Sequence, residues 1–110
     1  MYCLTVTYPS DTGKRFDLNY YVETHIPLCT RLFTGYGYHG HVLRLNGGAQ
    51  PGTGGAYLAE VDFFFESHEH LMKALGEQGG AVKADLSHYT DIEPTMCFAD
   101  VAASLSETPG

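Results

Sequence analysis

Hydrophobic and polar residues alternate along several stretches of this chain, and alternation predicts β-strands. YCLTVTY at residues 2–8 puts every second side chain on one apolar face. Residues 38–45 and 56–65 alternate in the same way, and IEPTMCFADV at residues 92–101 predicts a fourth strand. Between the second and third strands, the glycine and proline content of residues 46–56 predicts a loop, and leaves open whether that loop acts as a lid.

Two further stretches repeat at helical spacing. Asp17 is the predicted N-cap of the first helix. Its core-facing positions recur every three or four residues and are Leu18, Tyr21, Val22, His25, Leu28, Cys29 and Leu32. Ser67 is the predicted N-cap of a second helix over residues 68–75, which Gly76 is expected to end. A short helical turn is expected at residues 81–86.

The order of elements is therefore β-α-β-β-α-β, the ferredoxin-like arrangement of the α+β class. In it, two helices cover one face of a four-stranded antiparallel sheet. We expect one domain over residues 1–102 and a flexible C-terminal tail over residues 103–110.

The sheet face turned away from the helices is predicted to mix apolar and polar side chains. The apolar ones are Cys3, Leu58, Phe64, Cys97 and Ala99. The polar ones are Thr5, Thr7, Glu60, Asp62 and Thr95. This face is either solvated or buried in a homodimer that packs sheet against sheet. We favour the homodimer, because exposed apolar patches usually mark an interface.

Charge and cysteine content exclude several classes of protein. The formal net charge is -7 with only six Lys and Arg residues, which argues against a nucleic-acid partner. The three cysteines form no CxxC pair and are interpreted as buried free thiols. The N-terminus does not resemble a secretory signal and no run approaches transmembrane length, so we expect a cytoplasmic protein without a membrane partner.

Pro27 lies inside the first predicted helix and directs attention to His25. Proline cannot donate an N–H to the carbonyl of Glu23, and it disfavours the α conformation of Ile26, so the helix should bend or restart here. His25 would then sit at a helix end, whose partial negative charge favours the imidazolium, beside space left by the bend. Tyr21, one turn earlier, can flank the imidazole. A histidine so placed can act as an acid or base.

The same residues also permit a purely structural interpretation. His25 could satisfy a backbone carbonyl freed by Pro27, or hydrogen-bond Tyr8 or Tyr89 in a filled core, and no nucleophile partner is apparent. The tyrosines likewise suit either a tyrosine-rich core or a pocket for small aromatic ligands.

The second predicted strand carries two candidate metal ligands. His39 and His41 are two residues apart, so both can project from one face and bind a metal with a third ligand such as His25, Glu60 or Asp62. Solvated strand histidines are the commoner outcome. The sequence also has no Walker, GxGxxG, GxSxG or HExxH motif, so we expect neither a metal nor a cofactor.

Three segments together resemble the EthD family of the dimeric α/β-barrel superfamily. They are VTYP at residues 6–9, FDLNYYVETHIPL at residues 16–28 and YTDIEP at residues 89–94, and the Y-Y-x-x-x-H-x-P core is the most specific piece. The resemblance implies a ferredoxin-like protomer and a dimer whose two sheets form a barrel. It also implies a pocket between each sheet and its own helices, with His25 at its border.

The resemblance also sets expectations about function. Similar proteins occur with the oxidative degradation of ethyl tert-butyl ether, fungal relatives decarboxylate or dehydrate polyketide aromatics, and superfamily relatives include cofactor-free monooxygenases and lactone isomerases. We therefore expect a cofactor-free enzyme acting on a small apolar, aromatic or oxygenated compound, with His25 as general acid/base. The expected substrate-binding residues are Tyr8, Tyr21, Tyr89 and Asp91. The alternative is a non-catalytic protein that binds a hydrophobic ligand for a partner oxygenase.

Overall fold

The computed structural model describes residues 1–10 and 13–103 of the chain. The elements in order are β1 (Tyr2–Pro9), α1 (Leu18–Tyr20), a π-helical turn (Tyr21–His25), α2 (Ile26–Phe33), β2 (Tyr38–Gly48), β3 (Gly55–Phe65), α3 (His68–Asp85), a 3₁₀ turn (Leu86–His88) and β4 (Thr95–Asp100). This order confirms the predicted ferredoxin-like β-α-β-β-α-β fold of the α+β class. Apart from Ala103, the predicted C-terminal tail lies outside the described residues.

The four strands form one antiparallel sheet in the order β2-β3-β1-β4. In the centre, Leu4 of β1 lies opposite Phe63 of β3 and Phe98 of β4. Since alternate residues of a strand share a face, Leu4, Tyr8 and Phe63 all point towards the helices and are buried there. Within the described residues, no helix is long and apolar enough to cross a membrane.

The glycine-rich connection is shorter than predicted. β2 continues to Gly48 and β3 begins at Gly55, so both strands extend into the predicted loop. Gly47 pairs with Tyr57, and a Cβ at Gly47 would overlap the ring of Tyr57. Glycine is therefore needed here for close approach within the sheet rather than for a turn, and composition alone could not distinguish the two uses.

The second helix is much longer than predicted. Gly76 was expected to end it, but α3 passes through Gly76 and continues to Asp85, so the turn predicted at residues 81–86 is the end of the same helix. The N-cap was predicted correctly, since the Ser67 side chain accepts a hydrogen bond from an N–H of the first turn. Packing of its apolar side, where Leu71 is fully buried, stabilises the helix despite its glycines.

The buried face of the first helical segment also differs from the predicted one. Leu18 and Val22 were expected to face the core but are 42% and 37% exposed, whereas Ile26 and Phe33 are buried. The π-helical turn contributes to the burial of Ile26 and Phe33, because its closing bond runs from the N–H of Ile26 to the carbonyl of Tyr21, one residue further than in an α-helix. The extra residue rotates the positions that follow it relative to those before it.

The last strand begins at Thr95 rather than at the predicted Ile92. Pro94 stands just before it, where the missing N–H costs no ladder bond. All six residues of β4, an edge strand, are exposed, so Cys97 is exposed rather than buried as expected.

The sheet face turned away from the helices carries a polar network at its centre. Arg44 donates to Glu60 at 2.7 Å and to Asp62 at 2.8 Å. Thr7 also donates to Glu60, at 2.7 Å, and Thr5 donates to Asp62, at 2.6 Å. Four of the five polar residues predicted on this face, Thr5, Thr7, Glu60 and Asp62, therefore belong to one network with Arg44.

Candidate active site

A cavity of about 540 Å³ lies between the helices and the inner face of the sheet. This volume is in the range of small-molecule sites. Its wall is mostly apolar, with side chains such as Leu4, Val61 and Phe63 from the sheet and Leu75 and Val82 from α3. The cavity occupies the position that the resemblance implied.

The π-helical turn brings a row of side chains to this cavity. Tyr21, His25 and Cys29 are four residues apart and all line it. The helix neither breaks nor ends at His25 as expected, because Ile26 keeps right-handed helical angles of φ -62 and ψ -45. Pro27 instead sits in the first turn of α2, where its ring is tolerated. The sequence thus identified the irregularity at this point but not its form.

His25 is held by a carboxylate that sequence reasoning missed. Its Nδ1 lies 2.8 Å from Oδ2 of Asp85, and the two side chains are only 5% and 12% exposed. An ionised carboxylate can only accept, so Nδ1 carries the proton and Nε2 is the basic nitrogen of the neutral ring. Asp85 lies 60 residues away on α3, beyond the glycine expected to end that helix, and no sequence motif links the two.

Both oxygens of Asp85 are engaged. Oδ1 accepts a hydrogen bond from the Tyr20 hydroxyl at 2.8 Å and lies 3.7 Å from Nδ1 of His88. Burial acts to raise the pKa of Asp85, but the hydrogen bonds from His25 and Tyr20 outweigh it, and the pKa lies below its ordinary value. Asp85 is therefore a carboxylate at neutral pH.

Burial lowers the pKa of His25 below its ordinary value, and the hydrogen bond and charge of Asp85 offset this only in part. The neutral imidazole therefore predominates at pH 7, contrary to the expectation that a helix end would favour the imidazolium. The structural alternatives also differ from what is seen, since His25 pairs with Asp85 rather than with a backbone carbonyl, Tyr8 or Tyr89. A neutral imidazole with a carboxylate behind it is arranged to accept a proton.

The three predicted tyrosines gather around His25, in different roles. The rings of Tyr8 and Tyr21 line the cavity, and Tyr21 stacks on His25 with centroids 5.7 Å apart. Tyr89 is fully buried and is absent from the cavity wall, but its ring centroid lies 4.6 Å from that of His25. Its hydroxyl oxygen is 2.6 Å from that of Tyr8. Tyr89 thus supports the cavity from behind.

Asp91, like Tyr89, was predicted to bind substrate but does not line the cavity, and it lies at the surface. Its side chain is 65% exposed and lies 3.5 Å from the guanidinium of Arg15, and it does not line the cavity. The neighbouring Ile92 is the residue that turns inwards and is buried. The YTDIEP segment therefore contributes packing and a surface ion pair here.

The thiol of Cys29 lies beside the basic nitrogen of His25. Its Sγ lies 3.6 Å from Nε2, which allows a weak hydrogen bond from the thiol. Burial raises the pKa of Cys29 to about 12, so the group is a neutral thiol rather than a thiolate nucleophile. A Cys-His-Asp row is thus present, but the charge state of the sulfur favours general base chemistry by the histidine.

The two strand histidines considered as metal ligands have other partners. His39 pairs with Glu66, and Nδ1 of His41 lies 3.0 Å from the Tyr38 hydroxyl. The register of β2 shifts between Tyr38 and Gly40, which breaks the alternation on which the expected shared face depended. In residues 1–10 and 13–103, no group of three or more His, Cys, Asp or Glu side chains is arranged to hold a metal ion.

Solved structures of other proteins match this chain over almost its whole length. An EthD-like protein from Ralstonia eutropha JMP134 is 27% identical, covers 97% of this chain and 96% of its own, and superposes with a TM-score of 0.85. An ethyl tert-butyl ether D (EthD) family protein from Bacillus halodurans C-125 is 20% identical over 92% of this chain and 98% of its own, with a TM-score of 0.70.

A more distant structural likeness is to SnoaB, a cofactor-independent oxygenase from Streptomyces nogalater. It is 15% identical over 96% of this chain and 98% of its own, with a TM-score of 0.57, which concerns the fold alone. No protein-family model and no curated protein matches the chain. The solved structures nevertheless confirm the resemblance drawn from the sequence: this chain has the fold of an EthD-like protein of the dimeric α/β-barrel type.

Proposed function

We propose that this protein is a small cofactor-free enzyme in which His25 transfers a proton on an apolar, aromatic or oxygenated ligand bound in the cavity. The observation that carries the proposal is the 2.8 Å bond from Nδ1 of His25 to Asp85 at the wall of an apolar cavity. This bond leaves Nε2 as the basic nitrogen, and the carboxylate stabilises the imidazolium that forms when Nε2 takes up a proton.

The shape and polarity of the cavity support the proposed class of ligand. Its volume of about 540 Å³ suits a compact organic molecule, and its wall is mostly aliphatic and aromatic. The named relatives, an ethyl tert-butyl ether D family protein and a cofactor-independent oxygenase, fit a role in oxidative degradation. We accordingly place the reaction in a degradative pathway for such compounds, with no metal or cofactor taking part.

A ligand-binding accessory protein for a partner oxygenase is the second candidate. It is favoured by the largely apolar wall and by the thiol of Cys29, whose Sγ lies 3.6 Å from Nε2 of His25, within reach of a weak hydrogen bond. An accessory protein needs the same cavity but no proton transfer. The two candidates therefore predict equal binding and different chemistry.

The test uses 2-tetralone, a bicyclic aromatic ketone with exchangeable protons next to its carbonyl. We expect the protein to accelerate deuterium incorporation from D₂O, followed by NMR, and His25→Asn to abolish the acceleration while 2-tetralone still binds. Saturable binding with exchange no faster than in buffer would favour the accessory role. Exchange that survives His25→Asn would exclude His25 as the base.

We also propose that the protein works as a homodimer through the outer face of its sheet. The support is the dimeric α/β-barrel type of its fold, together with partly exposed apolar side chains such as Val42 beside the paired Arg44. Sedimentation at micromolar concentration should give twice the chain mass of 12.0 kDa, and a species of 12.0 kDa alone would contradict the dimer. Three unpaired cysteines suit a reducing compartment, so we propose a cytoplasmic location.

A further inference from the structure

The hydroxyl of Tyr21 is a buried donor without a hydrogen-bond partner in the described part of the chain. Tyr21 is 1% exposed, and its oxygen is the buried side-chain polar atom without a hydrogen bond among the residues that the structure describes. Buried hydroxyls nearly always have a partner, and an exception in a binding site calls for an explanation. Because the side chain lines the cavity, a bound ligand can provide the missing acceptor.

A second donor comes from the tyrosine pair beside it. The hydroxyl oxygens of Tyr8 and Tyr89 are 2.6 Å apart, so one proton lies between them and the other remains to be donated elsewhere. Tyr89 is fully buried behind the wall, whereas Tyr8 lines the cavity. When Tyr89 donates to Tyr8, the free proton belongs to Tyr8, the member of the pair that borders the ligand.

These donors lie close to one another and to the base. The rings of Tyr8 and Tyr21 meet edge to face with centroids 5.4 Å apart, and Tyr21 stacks on the imidazole of His25. Burial raises the pKa of Tyr8 to about 12 and also raises that of Tyr21, so both phenols keep their protons at neutral pH. The cavity therefore presents two neutral O–H donors and one neutral base.

We propose that Tyr8 and Tyr21 form an oxyanion-binding site, and that the substrate is a carbonyl compound with an acidic C–H beside the carbonyl, or its hydroxyarene equivalent. The inference rests on the proposed role of His25 and names the substrate class. Nε2 of His25 takes the proton, the C–H electron pair becomes the C=C bond of an enolate, and the carbonyl π pair moves to oxygen. The two phenols donate to that oxygen as it becomes negative.

The reaction needs no external oxidant or reductant. The imidazolium of His25 returns its proton either to carbon, which gives isomerisation or exchange, or to a leaving hydroxyl, which gives dehydration. Asp85 stabilises the imidazolium between the two transfers. Isomerisation, exchange and dehydration can therefore all proceed through the same enolate.

The test uses 2-naphthol, whose anion has the shape and charge of the 2-tetralone enolate. It measures binding and therefore does not depend on turnover. The affinity for the naphtholate is measured from its long-wavelength absorption band, and 2-methylnaphthalene serves as the isostere without oxygen. We expect Tyr21→Phe to weaken naphtholate binding about tenfold, as loss of one hydrogen bond to an anion does, and to change 2-methylnaphthalene binding by less than about twofold.

Two control variants make the result specific. Tyr38→Phe removes a hydroxyl that bonds His41 away from the cavity and should leave naphtholate binding unchanged. Lys83→Gln removes the cation at the cavity wall and should have a smaller effect than Tyr21→Phe if the phenols are the main partners of the anion.

Each outcome decides the question. Naphtholate affinity that is equal in Tyr21→Phe and the parent, a larger loss in Lys83→Gln, or no binding of either naphthalene by the parent protein would overturn the oxyanion site. Exchange of 2-tetralone that depends on His25 would leave the proposed function intact in these cases. Conversely, tyrosine-dependent naphtholate binding without any exchange would keep the oxyanion site and refute the enzyme.

Discussion

Asp85→Asn is the substitution that tests how the base is held. It replaces a carboxylate that accepts from Nδ1 of His25 at 2.8 Å with a neutral amide of the same shape. Hydrogen bonds to charged groups contribute about 1.5–3 kcal/mol, which corresponds to about one to two pKa units. Because Asp85 favours the imidazolium, its neutralisation should lower the pKa of His25 further and make Nε2 a weaker base.

The same free energy sets the expected loss of rate. If the imidazolium forms fully in the transition state, proton transfer slows by about 10- to 100-fold. The assay is deuterium exchange of 2-tetralone as a function of pH, together with NMR titration of the imidazole of His25. The pH profile is decisive, because a merely structural effect would lower the rate without shifting the pH below which the rate falls.

Asp91→Asn is the matched control. It makes the same chemical change at a carboxylate that is 65% exposed, pairs with Arg15 and lies off the cavity wall. We expect it to leave both the rate and the pKa of His25 unchanged. If Asp85→Asn also left them within about twofold of the parent, the assignment of Asp85 as the group that strengthens the base would be refuted.

Three further predictions concern stability and the thiol. Since the pKa of His25 is lower in the folded than in the unfolded protein, stability should fall as the pH drops from about 6.5 towards the folded value; urea unfolding should show this slope in the parent and its loss in His25→Asn. Tyr21→Phe should raise the free energy of unfolding by about 1–3 kcal/mol, because it removes a buried hydroxyl without a partner in the described part of the chain, whereas Tyr8→Phe should lower it by a similar amount by orphaning Tyr89. Melting curves that show the two changes with equal sign would contradict this. Cys29→Ala should keep 2-tetralone exchange within about threefold of the parent, because a neutral thiol is not the nucleophile; a complete loss would point to covalent chemistry instead.

The elements that follow from local periodicity were largely predictable. β1 and β3 alternate cleanly, and Ser67 caps α3 as predicted. The errors occur where glycine has a use that composition does not disclose. Gly47 lets the ring of Tyr57 approach the strand, and Gly76 is carried inside a helix by the packing of its neighbours. Both effects depend on residues elsewhere in the fold.

The candidate site was predictable only in part. Pro27 directed attention to His25, whose role as a site residue stays a prediction, and the resemblance implied the cavity. The buried face holds Tyr21, His25 and Cys29 as predicted, but also Ile26 and Phe33, which follow the π-helical turn. The role of Asp85 could not be predicted from the sequence, because its contact with His25 depends on the packing of α3 against the first helical segment. Asp91, by contrast, stood in a familiar motif yet faces solvent. Residue type and motif identify candidates, whereas long-range packing decides which of them meet.

The central claim is that Nε2 of His25 is the basic nitrogen of the ring and takes a proton from a ligand in the cavity. Its most direct test is ¹⁵N NMR of the imidazole nitrogens of His25 with and without 2-naphthol at neutral pH. The structure predicts a neutral ring with the proton on Nδ1 in the free protein, and a hydrogen bond from the naphthol O–H to Nε2, seen as a change in the Nε2 chemical shift, when naphthol binds. A ring that carries its proton on Nε2, or that is unchanged when the cavity is filled, would contradict the claim.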